Sequence, residues 1–251
     1  MNDNEREKLK IREYNVRKAN ELIQRTRYNL SMQEQKIILY IISKIKPNDD
    51  ISKIYNFRIV DFCKIAGIDY ENGKNYANLK AALKNLCDKS MWIKLDNGKE
   101  TLLRWIKEPF LEPKSGTIEI ILDEKMRPYL LDVQKNFTQY RLYEILAMRS
   151  QYSIRLYELL KSYETIGRWK FNVDELKQKL FAEKYNRFPD FKRRVVEKAV
   201  EEINDYTDLK IRYTLEKYGK KYTEITFFIK QKTNLAERVA SWDKINQILG
   251  K

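Results

Sequence analysis

At 251 residues, with 43% hydrophobic and 34% charged residues, the chain can pack one large domain or two of ordinary size, which excludes wholesale disorder. A formal charge of +14 predicts a polyanionic partner, because each lysine or arginine that neutralises a phosphate releases a condensed counterion. The absence of histidine excludes imidazole acid–base catalysis, histidine-ligated zinc and the histidine-metal nucleases that nick DNA.

Residues 1–18 are charge-dense and poor in apolar side chains, and read as a flexible arm or a loosely held helix. Ser31 followed by Glu34 is a capping-box pattern ahead of Ile37, Ile38, Ile41, Ile42 and Ile45, which fall on one helical face. Pro47, Asn48 and Asp49 end that helix. A strand over Ile54–Ile59 leads to a brief helix around Val60–Ala66 that stops at Gly67. A longer helix over Asn75–Lys89 turns Leu79, Leu83 and Leu86 inward. Strands Met91–Leu95 and Glu100–Ile106 flank Asp96-Asn97-Gly98, a strong hairpin signal, and Thr117–Leu122 alternates as a further strand.

The region 123–150 reads as a stiff helical connection. Beyond it the order recurs. An amphipathic helix carries Tyr152, Leu156, Leu159, Leu160 and Tyr163 and ends before Gly167. Trp169–Phe171 is a short strand, and Asn172 with Glu175 caps a brief helix. Pro189 suits the first turn of the next helix, along which Phe191, Val195, Ala199 and Ile203 step by four. Leu209–Leu215 and Tyr222–Lys230 alternate as paired strands around Gly219. Helix, strand, short helix, long helix and hairpin, occurring twice, describe an α+β protein of two tandem winged helix-turn-helix domains, in which the long helix reads and the hairpin is the wing. The expected division is an arm over 1–18, an N-terminal winged helix over 19–135, a C-terminal one over 136–232 and a tail over 233–251.

The second long helix carries the better DNA chemistry. Around its start stand Arg187, Lys192, Arg193 and Arg194, with Asp190 the acidic residue among them. Free N–H groups and the positive dipole end suit phosphate there, and side chains of such a helix tip reach base edges in the major groove. Arg193, Arg194 and Arg187 are the candidates for bases, and Lys192 and Lys198 for phosphates. In the wing, Lys217, Lys220 and Lys221 surround Gly219, and point charges without a fork suit backbone attraction. The first long helix is poorer in arginine and its hairpin is charge-mixed, so that domain should read sequence weakly, with Arg25 and Arg27 as further phosphate candidates. Most of the 17 tyrosines fall at core spacings rather than on a stacking surface for single-stranded bases. Cys63 and Cys87 lack metal-site spacing and read as small buried hydrophobes, so neither a metal nor a cofactor is expected. No apolar run reaches the length of a membrane span and the charged N-terminus lacks a signal-peptide core, so a cytoplasmic protein without a membrane partner is expected.

Several segments carry a resemblance: Lys18-Ala19-Asn20-Glu21-Leu22-Ile23, the Leu30–Ile42 helix, Tyr152-Ser153-Ile154-Arg155-Leu156-Tyr157-Glu158-Leu159-Leu160-Lys161, and Glu202-Ile203-Asn204 followed by Thr207-Asp208-Leu209. From about Lys18 to Lys232 the chain resembles the replication initiator (Rep) proteins of iteron-containing, theta-replicating plasmids. The resemblance implies tandem winged helices. The C-terminal one reads origin repeats, on a helix matching Pro189–Tyr206 with Lys192, Arg193 and Arg194 leading. The N-terminal one adds DNA backbone contacts and the interface of a homodimer in equilibrium with monomer. It also implies host initiator and helicase partners, self-repression by dimers at an inverted repeat, and no catalytic residues. Arg155 is either structural or a phosphate contact on this reading. A transcriptional repressor without initiation activity would share the same fold. The tail after Lys232 falls outside the resemblance.

Overall fold

The computed structural model describes residues 14–249 apart from 47, 69–72 and 134, and gives the backbone alone at 73–75. Positions 1–13 of the expected arm and Pro47 lie outside the described residues.

Residues 15–18 of the expected arm belong to a strand. Asn15–Ala19 form β1, antiparallel to β7 (Phe137–Arg141), with Val16 opposite Tyr140. Local polarity misleads here because Val16 is fully buried and Lys18 is 1% exposed, both held by partners distant in sequence. The pairing also ties residues 15–19 to residues across the division expected at 135/136.

The N-terminal unit follows in chain order. After α1 (Asn20–Arg25) comes α2 (Met32–Ile42), which opens on the capping box read from sequence: Ser31 Oγ accepts from the Glu34 amide and the Glu34 carboxylate accepts from the Ser31 amide. β2 (Ile54–Arg58), α3 (Ile59–Ala66) and α4 (Gly73–Asp88) complete its helix-turn-helix. α3 ends at Gly67, whose φ of 65° is the left-handed cap that glycine adopts without penalty. β3 (Ser90–Lys94) and β4 (Glu100–Arg104) form the hairpin around Gly98, which is at φ 80°. The single strand expected over Glu100–Ile106 is broken at Trp105. That indole turns into the core against Tyr28, edge to face at 5.2 Å, and a separate β5 (Ile106–Glu112) leaves to pair with β6 (Thr117–Leu122). The sheet order is β2-β6-β5.

The connection is not a continuous helix. A 3-10 turn (Glu124–Met126) and α5 (Arg127–Leu130) are followed by β7 and then α6 (Leu142–Leu146), because pairing with β1 draws residues 137–141 into a strand. α7 (Gln151–Lys161) begins the second unit's order, and Tyr152 through Leu160 are all buried, on every face of the helix. β8 (Arg168–Asn172) pairs with β10 (Lys221–Gln231), itself paired with β9 (Leu209–Tyr218), in the order β8-β10-β9. α8 (Val173–Lys179) opens on Asn172, whose carbonyl oxygen accepts from the amides of Asp174 and Glu175. The tail, left open by the sequence, is a helix, α11 (Leu235–Leu249).

Candidate nucleic-acid interface

The long helix of the second unit is built from three stretches that run on without a break: α9 (Phe188–Phe191), a π-helical segment (Lys192–Glu197) and α10 (Lys198–Tyr206). In a pure α-helix each step of four overshoots a turn by about 40°. The apolar series Phe191, Val195, Ala199, Ile203 would therefore wander off the core. The wider π turns absorb this drift, and all four side chains are fully buried, joined by Val196. The sequence series was legible, but the π segment that keeps it on one face was not.

With that face inward, the basic residues divide by what they touch. Arg193 and Arg194 are exposed on the outer side; Arg193 has only Asp190, at 3.7 Å, and Arg194 has no ion pair among the described residues. Arg187, at the position just before the first turn, and Lys198 are likewise exposed and unpaired among those residues. Lys192 is less available, because its ammonium is engaged by Glu197, which holds its pKa above the usual lysine value. Downstream the same helix turns acidic: Glu197, Glu201 and Asp205 line a shallow groove with Arg193. The helix thus offers a duplex a cationic first half and a largely anionic second half in which Lys198 stands among the acids, so phosphates are drawn to the first half and to Lys198.

The wing is fixed to that first half. Phe188 stacks on Tyr222 near the tip of the hairpin, with ring centroids 4.3 Å apart and planes 21° from parallel, and the Lys217 ammonium lies 4.4 Å above the same Tyr222 ring. Lys220 is exposed and unpaired among the described residues, whereas Lys221 is 3.0 Å from Asp174. The hairpin tip also carries Tyr218, 85% exposed, beside Gly219 at φ 60°. Sequence reasoning passed over this ring. Its position next to the turn glycine, beyond the last alternating core residue, was the available signal.

Of the expected phosphate contacts, Arg155 is corrected, and Arg27 and Arg25 are exposed but already paired within the chain. Arg155 is 3% exposed: its guanidinium donates to the Ile23 carbonyl at 2.6 Å, the Thr26 carbonyl at 2.9 Å and the Tyr28 hydroxyl at 3.1 Å. Of the two readings of Arg155, the structural one holds. Arg27 pairs with Glu183, donates to the Gln178 carbonyl at 3.0 Å and lies 4.1 Å over the Phe181 ring, so it ties the two units together. Arg25 bonds Asp96 at 2.6 Å, bracing the first hairpin. In each case groups far along the chain already engage the guanidinium.

These ties belong to a buried polar seam. Glu158 accepts from Tyr28 at 2.9 Å and Tyr140 at 2.5 Å and pairs with Lys18. Burial opposes its ionisation, but Lys18 and Arg155 outweigh that and hold its carboxyl below the ordinary range. At Glu144, which accepts from Tyr157 at 2.6 Å, burial, with Asp208 nearby, outweighs the compensation from Tyr157 and Lys161 and pushes the carboxyl up to about 8. Lys36 donates to the Leu146 carbonyl at 2.5 Å, and burial lowers its pKa to about 8.

In the first unit the long helix, α4, is occupied differently. Asn85 and Lys89 reach the 2%-exposed Glu34 at 3.0 and 2.6 Å, and Lys84 pairs with Asp88 at 2.5 Å. Lys80 is left exposed and unpaired among the described residues, flanked by exposed Ala77, Asn78 and Ala81. Among the described residues no group of acidic or cysteine side chains is gathered to hold a metal, and no helix is long and apolar enough to cross a membrane.

Residues 15–161 match the family model described as "Initiator Replication protein, WH1", and residues 172–229 match "Initiator Rep protein, WH2". The chain belongs to the plasmid replication initiator family. Among its relatives, a "Replication initiation protein" of Escherichia coli is 28% identical over 226 residues, an alignment covering 84% of this chain and 68% of that protein. The PI protein of Escherichia coli is 31% identical over 145 residues, half of this chain and 47% of its own length. A crystal structure of the Pi initiator protein in complex with iteron DNA superposes with a TM-score of 0.71 at 26% identity, covering 87% of this chain and 98% of that one. The tandem winged helices of this initiator are therefore family architecture, and α11 lies beyond both matched segments.

Proposed function

We propose that this initiator starts plasmid replication by binding repeated origin sequences, iterons, in duplex DNA. Arg193, Arg194 and Arg187 meet base edges in the major groove, and Lys192, Lys198, Lys217, Lys220 and Lys221 meet phosphates. The observation that carries this reading is the Arg193–Arg194 pair, exposed at the cationic end of a helix whose other end is acidic, with a lysine-bearing wing stacked against it. The Pi initiator's complex with iteron DNA supports it. An arginine fork can hold guanine O6 and N7 together, worth about 1–3 kcal/mol of discrimination at that base pair.

The N-terminal winged helix, read as 19–135 and lengthened by β1, adds backbone contacts and the interface of a homodimer that exchanges with monomer. The C-terminal one, read as 136–232, reads the repeat. Monomers open the origin with the host initiator and replicative helicase, and dimers repress the gene at an inverted repeat. The protein works in the cytoplasm by binding and straining DNA and breaks no bond of it. Footprinting upstream of the gene, followed by binding to the protected repeat across a salt series, tests this. The expected outcome is protection of direct repeats, log K falling by about 0.9 per phosphate neutralised, and no nicking of supercoiled origin DNA with magnesium. Equal affinity for the repeat and for scrambled duplex would overturn it.

A further inference from the structure

Among the described residues α11 is the one helix that neither family segment, 15–161 or 172–229, includes, yet it touches both. On the side of the reading helix, buried Lys232 donates to the Thr207 carbonyl and to Ser241 Oγ, each at 2.8 Å, and also to the Asn204 carbonyl. Those carbonyls are acceptors that the end of α10 leaves open. Lys244 pairs with Asp205, and Glu237 with Lys210 of β9. On the other side, Trp242 packs edge-on against Tyr143 of α6 with centroids 4.8 Å apart. Farther along, Ile245 and Leu249 are buried, at 1% and 3% exposed. The last turn lies against the cap of α3: a Cβ on Gly67 would sit 3.4 Å from the Ile248 carbonyl and from Leu249 Cα.

A helix of this length is a rod of about 22 Å. Held at the reading helix, at α6 and at the N-terminal helix-turn-helix, it leaves little hinge freedom to the short connection between α7 and β8. We infer that α11 is a strap that sets the position of the reading helix relative to the N-terminal winged helix, so that the two domains engage one DNA repeat at a fixed spacing. Trp242 and Ile245 are then positioning residues that touch no DNA. The inference rests on the duplex-binding reading above, and its test separates the two.

The test uses the full chain carrying Trp242→Ala with Ile245→Ala, alongside Trp242→Phe and, on the exposed side of α11, Val239→Ala. Anisotropy is measured on the footprinted repeat and on repeats with one or two base pairs inserted between the stretches covered by the two domains. The unaltered protein should lose affinity steeply with each insertion. The double variant should bind the native repeat on the order of tenfold more weakly, since simultaneous engagement is no longer pre-arranged, and should become nearly indifferent to the insertion. Trp242→Phe should restore spacing strictness, and Val239→Ala should leave it unchanged. Small-angle scattering of the DNA-free proteins gives a second readout, with a larger maximum dimension expected for the double variant. A folded double variant with unaltered scattering and an unaltered insertion penalty overturns the strap. Failure of the unaltered protein to prefer the repeat overturns the duplex-binding reading instead, and scattering alone then decides the strap.

Discussion

The tip of the reading helix and the seam between the two units are both rich in arginine and lysine, and in the sequence they look alike. At the tip, Arg193 and Arg194 project outward from a helix whose core face is filled by Phe191, Val195 and Val196. At the seam, Arg155 and Lys18 are buried against carbonyls, tyrosine hydroxyls and Glu158. The difference teaches that basic character marks a DNA surface only where acceptors from the same chain have not already claimed it. A desolvated guanidinium must be paired, whereas a solvated one stays available to phosphate or guanine.

The comparison breaks most visibly if a seam cation is removed. Arg155→Ala strips a donor from two backbone carbonyls and from Tyr28 and leaves Glu158 with less compensation; a loss of about 3–5 kcal/mol is expected, read by chemical denaturation. A loss below about 1 kcal/mol, the range of exposed pairs, would put Arg155 back among the surface cations. Glu144 probes the same seam through pH. Its folded pKa, about 8, lies above the ordinary carboxylate value, so its contribution to stability is full below about pH 4.5 and is lost as pH rises toward 8. Glu144→Gln should therefore gain on the unaltered protein by up to about 1.4 kcal/mol per pH unit in that window. A constant difference in melting temperature from pH 5 to pH 8 would refute the assignment.

At the tip, effects should appear in specificity and leave stability alone. Arg193→Ala or Arg194→Ala should each relax preference at particular base pairs by about 1–3 kcal/mol, measured by competition with single-position repeat variants. Wild-type discrimination in both would mean that another element reads the repeat. The smallest effect belongs to the wing: Lys220→Ala with Lys221→Ala should weaken every duplex alike and reduce the salt slope by about 0.9 for each phosphate that is no longer neutralised. Because Asp174 already holds Lys221, most of that change should come from Lys220. In the first unit, Lys80→Ala should shift affinity for all sequences by less than either arginine change at the tip.

Much of this protein follows from short-range chemistry and was legible in the chain itself. The capping box at Ser31 and Glu34, the Asn172 cap, the Asp96-Asn97-Gly98 turn and the alternation through β9 and β10 each depend on residues within a few positions of one another. Local hydrogen bonds and side-chain periodicity determine them, and with them the twice-repeated order of elements. What only the tertiary structure decided is which charges remain free. Arg155 meets Tyr28 127 positions away, and Arg27 meets Glu183 across 156. Likewise β1 is a strand because β7 arrives beside it, and the π turns in the reading helix arise from its fit to the core. Propensity and spacing act over one or two turns, whereas the cost of burying a charge or an unpaired backbone depends on what the rest of the chain brings to it.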